Sequence, residues 1–349
     1  MSDESKLQVI IVGSGLAGLT AARILRENHH VTVYERGDAA IATGGQGIII
    51  APNGVKILES IGYNRDRAGA VPIYGIRTYD KEGNVNKDVD MDLKPRFGAD
   101  CLAQKRSDFR DELMRLATTP SADLGIKGNP AEIVFNNAVV GLDPEEGVVT
   151  LSDGSTAAAD VVIVSIEDAK KALGDLPLPH WWEPSTCQNQ STKSTTESWH
   201  ADGDRAKMVE DFGDFHEPLK IILRAATEVK VWELQDLEPL LTWTQGRAML
   251  IGDVAHAMTL MQGQGANMSI EDAESLRLLA PGTRREDVQD ILKLAETVRR
   301  PRIAQIQAET RKSHSTFGVA ERVTRNLEFN CGYNGIHDAL KAQQEKAKA

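Results

Sequence analysis

An α/β fold built on a parallel sheet is what this 349-residue chain predicts, and three observations predict it. The apolar run Val9–Val12 is followed by Gly13-Ser14-Gly15-Leu16-Ala17-Gly18 and a helical stretch, Leu16–Glu27. A second apolar strand, Val31–Tyr34, ends on Glu35. Near the far end, a short buried strand, Ala248–Ile251, runs into Gly252-Asp253 and then Gly263-Gln264-Gly265-Ala266-Asn267.

The first element has a specific physical reading. Gly13 permits the tight turn out of the strand, Gly15 lets the backbone approach a pyrophosphate, and Gly18 lets the helix pack on the strand. The N–H groups of the helix start, around Leu16 and Ala17, face the anion. Glu35, 22 residues beyond Gly13, suits a carboxylate accepting from a ribose hydroxyl. Such a glycine turn also occurs in other βαβ units, and by itself it does not separate FAD from NAD. In the second element Asp253 is placed to accept from polyol or ribose hydroxyls. The following helix start offers N–H groups and a positive dipole end, suited to the negative pyrimidine edge of a reduced flavin. Two such elements, in this order and about 240 residues apart, point to an FAD-binding oxidoreductase.

The remaining elements follow in order. Gly44–Ile50 is a glycine-rich segment running into a strand, and Asn53–Ile61 reads as a helix. Residues 73–80 and 85–91 alternate as a hairpin with Gly83-Asn84 at the turn. Ser107–Ala117 is helical with Ser107 as its cap. Glu132 to Ser165 reads as three strands of a meander, and Ser165 as the N-cap of a helix to about Leu173. Residues 175–206, with Trp181 and Trp182, read as an irregular connector whose tryptophans cover a core edge rather than stack on a ring substrate. Helix is expected over 206–226, strand over 228–235, and helix over 269–280 and 286–312, with Pro301 kinking or breaking the last. The basic run Arg299-Arg300-Pro301-Arg302 reads as a solvated helix face in preference to a phosphate site.

Composition narrows the class. A net charge of −11 argues against non-specific nucleic-acid binding and offers no basic patch for anionic lipid. The polar start MSDESKLQ is no signal peptide. No apolar run reaches the roughly 18 residues of a membrane span. Cys101, Cys187 and Cys331 have no metal-ligand spacing and read as reduced thiols. A cytoplasmic protein without a metal is expected.

The sequence resembles the single-component FAD-dependent aromatic hydroxylases, the salicylate-hydroxylase-like flavoprotein monooxygenases. The likeness is carried by IIVGSGLAGLTAARIL with Glu35-Arg36, GGQGIIIAPNGVKILESIGY, KRSDFRDELMRLA with Arg106, and EPLLTWTQGRAMLIGDVAHAM through GQGANMSIEDA. It implies a Rossmann-like FAD-binding domain (1–71, 102–175 and 244–285), a reduced β-sheet substrate domain (72–101 and 176–243) and C-terminal helices (286–349). By the same resemblance Glu35, followed by Arg36, looks like the adenosine-ribose acid, and Arg106 like the arginine that reaches FAD. Asp253 looks like the aspartate beside the pyrophosphate and ribityl chain. Gly47, Gly263, Gly265, Ala266 and Asn267 look like backbone contacts around the isoalloxazine. NADH or NADPH would dock transiently as co-substrate, O2 would be the oxidant, and a small aromatic or related ring would be hydroxylated. Read as residues alone, Arg106 is equally a surface ion pair and His256 a satisfied core histidine. No catalytic acid or base is assigned.

The chain departs from the family pattern in two ways. A GADG-type motif is replaced by Ile166-Glu167-Asp168-Ala169, and Asp160 precedes the strand and cannot substitute for the missing aspartate. Most of a small sheet expected before Glu238-Pro239-Leu240 is missing, and Ala257 and Leu260 stand where prolines are usual. A site without a full roof admits water, and oxygen activated on a flavin is then lost as hydrogen peroxide. The alternatives to a monooxygenase are therefore an uncoupled flavin NAD(P)H oxidase or reductase and a non-catalytic FAD-binding protein.

Overall fold

The structure, a computed structural model, describes residues 6–39, 47–166, 203–227, 229, 236–316, 321 and 324–348. Two near-continuous apolar runs become the centre of its main sheet. Strand β1 (Gln8–Val12) and the strand Val161–Val164 pair in parallel, Val9 opposite Val161, with Val9–Val12 and all of Val161–Val164 buried. Strands covered on both faces read this way in sequence. Helix α1 (Leu16–Leu25) returns the chain to β2 (His30–Tyr34), parallel to β1, and all ten α1 residues are buried.

Numbered in chain order, the following elements are β3 (Gly47–Ile50), α2 (Pro52–Ser60), β4 (Val71–Pro72), β5 (Gly75–Tyr79), β6 (Val85–Asp90), α3 (Lys94–Phe97), β7 (Leu102–Lys105) and α4 (Arg106–Thr118). They lead through α5 (Ser121–Leu124) to β8 (Glu132–Val134), β9 (Val139–Asp143), β10 (Val148–Leu151), β11 (Thr156–Ala158) and β12 (Val161–Val164). Beyond are α6 (Arg205–Asp211), α7 (Glu217–Ala225), β13 (Thr244–Gln245), β14 (Ala248–Leu250), α8 (Asp253–His256), α9 (Gly265–Ser275), α10 (Val288–Thr316), α11 (Leu327–Cys331) and α12 (Ile336–Lys348). The main sheet has the order β13-β14-β12-β1-β2-β8, parallel except for β13. Smaller sheets are β11-β10-β9, β3-β7-β4 and the hairpin β5-β6. Helix α1 packs against α4 and α9, and α9 against α2.

Several expectations need correction. The meander is β9-β10-β11. Of the three strands expected in it, the first divides, sending β8 to the edge of the main sheet, and the last is β12, at the sheet's centre. Asn136, at φ +58°, makes the break, a conformation that asparagine tolerates better than most residues. Helix α4 begins one residue early, with Lys105 at the cap, and the Ser107 hydroxyl donates to Asp108 instead (2.9 Å). The helix expected over 206–226 is two, parted at Gly213, because His216 N–H donates to Lys81 O (2.7 Å) and fixes the second on the hairpin turn. Helix α9 starts at Gly265 rather than 269. Helix α10 runs from 288 to 316 straight through Pro301, held by buried side chains on either side of the proline. The hairpin over 75–90 and the helix over 52–60 form as expected, with Gly83 at φ +90° in the turn. Cys101 and Cys331 are free thiols in one small apolar cluster. The connector with Trp181 and Trp182, Cys187, the helix expected to Leu173 and nearly all of the strand over 228–235 lie outside the described residues.

The tightest packing in the βαβ unit is at Gly18. A Cβ there would stand 2.1 Å from Gly13 O and 2.5 Å from Ser165 Oγ. Gly18→Ala is expected to cost about 3 kcal/mol, the upper end for overpacking, measured as a fall in the urea midpoint with unchanged slope.

Candidate functional site

The turn out of β1 is held by a small polar cluster. Gly13 takes φ +100°, and its N–H donates to Tyr34 O (2.8 Å). The Ser14 N–H and hydroxyl both donate to Glu35 Oε2 at 2.8 Å, and Gly37 N–H donates to Oε1 at 2.8 Å. Arg110 on α4 donates to the Ser14 hydroxyl (3.2 Å). Burial pushes the Glu35 carboxyl upward, but these hydrogen bonds and the Arg110 charge outweigh it and hold the carboxyl below its ordinary range. Glu35 is thus an ionised acceptor fixed at the lip of the glycine turn. Arg36 beside it is exposed.

From β12, Ser165 completes the turn. Its hydroxyl donates to Val12 O (3.1 Å) and Gly13 O (3.0 Å), so it ties β12 to β1 where the glycine turn begins. Asp160, at the other end of β12, accepts from Gln8 N–H (2.8 Å) and stands far from the turn.

The second signature closes on the first through direct contact. A Cβ on Gly252 would lie 3.1 Å from Ala17 Cβ and 3.1 Å from Ser269 Oγ, so the Gly252-Asp253 turn is wedged between α1 and α9. Asp253 opens the short α8 and is half-buried. Asn267 on α9 accepts from Ala51 N–H (2.9 Å) and donates to Gly263 O (2.9 Å), which brings the start of α2 against the start of α9. Strand pairing sets Gly47 opposite Lys105, next to Arg106, which begins α4 half-buried.

Among the described residues no side chain caps the starts of α1, α2 and α9, which leaves their backbone donors to an anionic ligand. Gly15 is exposed, and among the described residues only Ser165 O stands near a built Cβ (3.8 Å), with nothing within 4 Å of a Cβ on Gly47, Gly263 or Gly265. Ala266 is half-buried beside them, while Leu16, Ala17 and Gly18 are buried as the first turn of α1. Open glycine backbone around uncapped helix starts, with a fixed carboxylate at one end, fits FAD. A cavity of about 290 Å³ lined by His29, Ser60, Arg277 and His337 lies at the opposite end of α1 and is separate from this cradle.

Behind the cradle is a cluster that the sequence did not disclose. Asp272 on α9 accepts from Gly252 N–H (3.0 Å), His256 Nε2 (2.5 Å) and Arg299 Nε (3.0 Å). Glu271 pairs with Arg299 and with Arg302 (2.7 and 2.8 Å), and accepts from Asn53 Nδ2 (2.7 Å). Arg299, Glu271 and Asp272 have no exposure. The basic run is therefore neither a solvated face nor a phosphate site. Arg300 pairs with Glu296 (3.0 Å), and the other two arginines neutralise buried carboxylates. His256 is a core histidine satisfied on one side only: Nδ1 is buried without a partner among the described residues, and Trp243 packs at 5.3 Å. Matching acids at 271 and 272 with bases three apart at 299 and 302 is the signal that sequence reading passed over, as it passed over Ser14 and Asn53.

Comparison with known proteins agrees with this geometry. A model of an FAD binding domain matches residues 158–310, and one of an NAD(P)-binding Rossmann-like domain matches 11–64. The chain is 26% identical to hispidin-3-hydroxylase of Neonothopanus nambi, with 88% of this chain and 89% of that protein covered. It is 26% identical to 6-hydroxynicotinate 3-monooxygenase of Bordetella bronchiseptica, with 97% and 98% covered. That alignment spans 392 positions, more than the 349 residues here, so the relative carries segments this chain lacks. A salicylate hydroxylase substrate complex superposes with TM-score 0.74 at 18% identity, over 97% of this chain and 98% of that one. The expected FAD-binding oxidoreductase with a Rossmann-like α/β fold is borne out. Among the described residues no helix is long and apolar enough to cross a membrane.

The depressed Glu35 carboxyl has a consequence for stability. It contributes above the ordinary glutamate value of about 4.3, and the contribution is lost as pH falls through the lower folded value. Glu35→Gln is expected to flatten the acid side of the stability curve, compared by thermal melts between pH 3 and 7.

Proposed function

We propose that this chain, a homologue of the FAD-dependent aromatic monooxygenases, uses NAD(P)H and O2 to hydroxylate a small electron-rich ring at the cradle described above. One observation carries the reading: the glycine turn, the Gly252-Asp253 turn and the starts of α2 and α9 are in direct contact, although they come from opposite ends of the chain. FAD, when bound, would supply the redox chemistry between NADH or NADPH and O2.

The protein's own groups bind and orient. Gly15, Leu16 and Ala17 present backbone to the pyrophosphate, held in place by the Gly13 turn and the Gly18 packing, and Glu35 accepts from the adenosine ribose, with Arg36 beside it. Arg106 reaches the cofactor from α4. Asp253 accepts from the ribityl chain. Gly47, Gly263, Gly265, Ala266 and Asn267 border the isoalloxazine, where the positive end of α9 favours charge on the pyrimidine edge. The FAD-binding domain comprises 1–71, 102–175 and 244–285, the reduced substrate domain 72–101 and 176–243, and the C-terminal helices 286–349. Relatives named for hispidin and 6-hydroxynicotinate support a phenol-like or hydroxypyridine ring as substrate. The site of action is the cytoplasm.

A second reading, an NAD(P)H oxidase that releases peroxide, is favoured by one feature. Among the described residues between β12 and β13 there is no strand, only α6 and α7, and neither helix has a buried residue. Were α6 and α7 the whole cover of the ring site, water would reach it.

The visible spectrum of the purified protein, with the flavin released and identified, tests the cofactor. Stoichiometric FAD is expected, and a colourless protein that cannot be reconstituted overturns the reading. Asp253→Ala is expected to weaken FAD binding by roughly tenfold or more, the worth of a hydrogen bond to a charged group. With a phenolic or hydroxypyridine substrate, the hydroxylated product should account for part of the NAD(P)H consumed and peroxide for the rest. Peroxide alone, with every ring tried, assigns the oxidase.

A further inference from the structure

The carboxylate of Asp272 meets three elements at once. One oxygen accepts from the Gly252 N–H of the Gly252-Asp253 turn and from His256 Nε2, which closes α8; the other accepts from Arg299 Nε of α10. Its own helix, α9, starts at Gly265, seven residues earlier and about 10 Å along the axis. Glu271, the adjacent residue, takes the other side of Arg299 together with Arg302 and Asn53, and Asn53 lies in the first turn of α2. Every stretch of backbone assigned to the flavin end of FAD, apart from β3, is thus fastened to one buried pair of carboxylates and their arginines.

The charges make this fastening rigid. Burial pushes both carboxyls up, but their partners outweigh it, His256 and Arg299 at Asp272 and the two arginines at Glu271, so both stay ionised. A buried carboxylate paired on all sides cannot rotate away without leaving a partner unsatisfied.

We propose that Asp272 and Arg299 are positioning residues for FAD: they set the distance between the Gly252-Asp253 turn and the start of α9. The proposal rests on the reading that FAD lies on these two elements. An asparagine at 272 can accept on one side only. Either Gly252 loses its acceptor, or an amide N–H faces Arg299 Nε.

Glu274 supplies the control. It lies on the same helix, is 5% exposed, and accepts from Tyr333 Oη (3.0 Å) and Ile336 N–H (2.9 Å), both on the side of α12. Asp272→Asn and Glu274→Gln therefore each disturb a buried carboxylate of the same helix, but only the first touches the Gly252 turn. Apoprotein of each is titrated with FAD, its melting temperature is recorded, and the reduction potential of the bound FAD is measured. Asp272→Asn is expected to weaken FAD at least about tenfold, as loss of an outer positioning group does at metal sites. It should also raise the potential, because a negative charge is removed below the start of α9. Glu274→Gln should leave affinity and potential unchanged even where its melting temperature falls. Equal FAD affinity in Asp272→Asn and wild type overturns the proposal. So does an equal loss in both variants, which would mark a merely structural role. Wild-type protein that binds no FAD overturns the underlying reading as well, and wild-type binding indifferent to Asp253→Ala overturns the placement alone.

Discussion

Charge balance in a space without water is the constraint on which the rest of this structure depends. Glu271, Asp272 and Arg299 have no exposure and Arg302 has little, so each sign must be matched where it sits. Taking away one member of such a set costs about 3–5 kcal/mol, because its partner is left buried and unpaired. That figure is comparable to the lower end of the net stability of a whole domain. The long helix α10 is consequently fixed to α9, and through Asn53 to α2, by something much stiffer than apolar contact.

The second constraint is distance at the crossing of α1 and β1. Gly18 lies so close to Gly13 that no side chain fits, and Ser165 fills the remaining corner with a hydroxyl that spans two carbonyls. Helix and strand are thereby locked at the point where the helix start faces outward. Glu35, fixed by Ser14 and Gly37, adds one negative group at a set height above that turn. The two constraints govern opposite ends of one cradle, the first the start of α9 and the second the glycine turn.

Much of this was legible in the sequence wherever local chemistry and tertiary position agree. Val9–Val12, the glycine spacing and Glu35 point to a dinucleotide-binding βαβ unit because strand, turn, helix and acid occur together in that order. The hairpin was legible from alternation and Gly83. Legibility failed where a residue's environment is made by distant chain. Arg299 and Arg302 look solvated because charged residues usually are, and nothing near them in sequence announces Glu271 and Asp272. Pro301 suggests a broken helix because the pull of those buried pairs on either side is likewise invisible. The divided strand after Glu132 failed for a smaller reason: one asparagine with positive φ sends the chain from one sheet to another.

The sheet order has a further consequence for how the protein is made. Val9 pairs with Val161, Val162 pairs with Ala248, and the clamp on α9 waits for Arg299 and Arg302. The glycine turn leaves the ribosome first, yet β12 follows only near mid-chain, and β14 and the carboxylate clamp only with the last third. Long-range pairings of this kind form late. The cradle, assembled from both parts of the chain, is therefore complete only in the finished polypeptide.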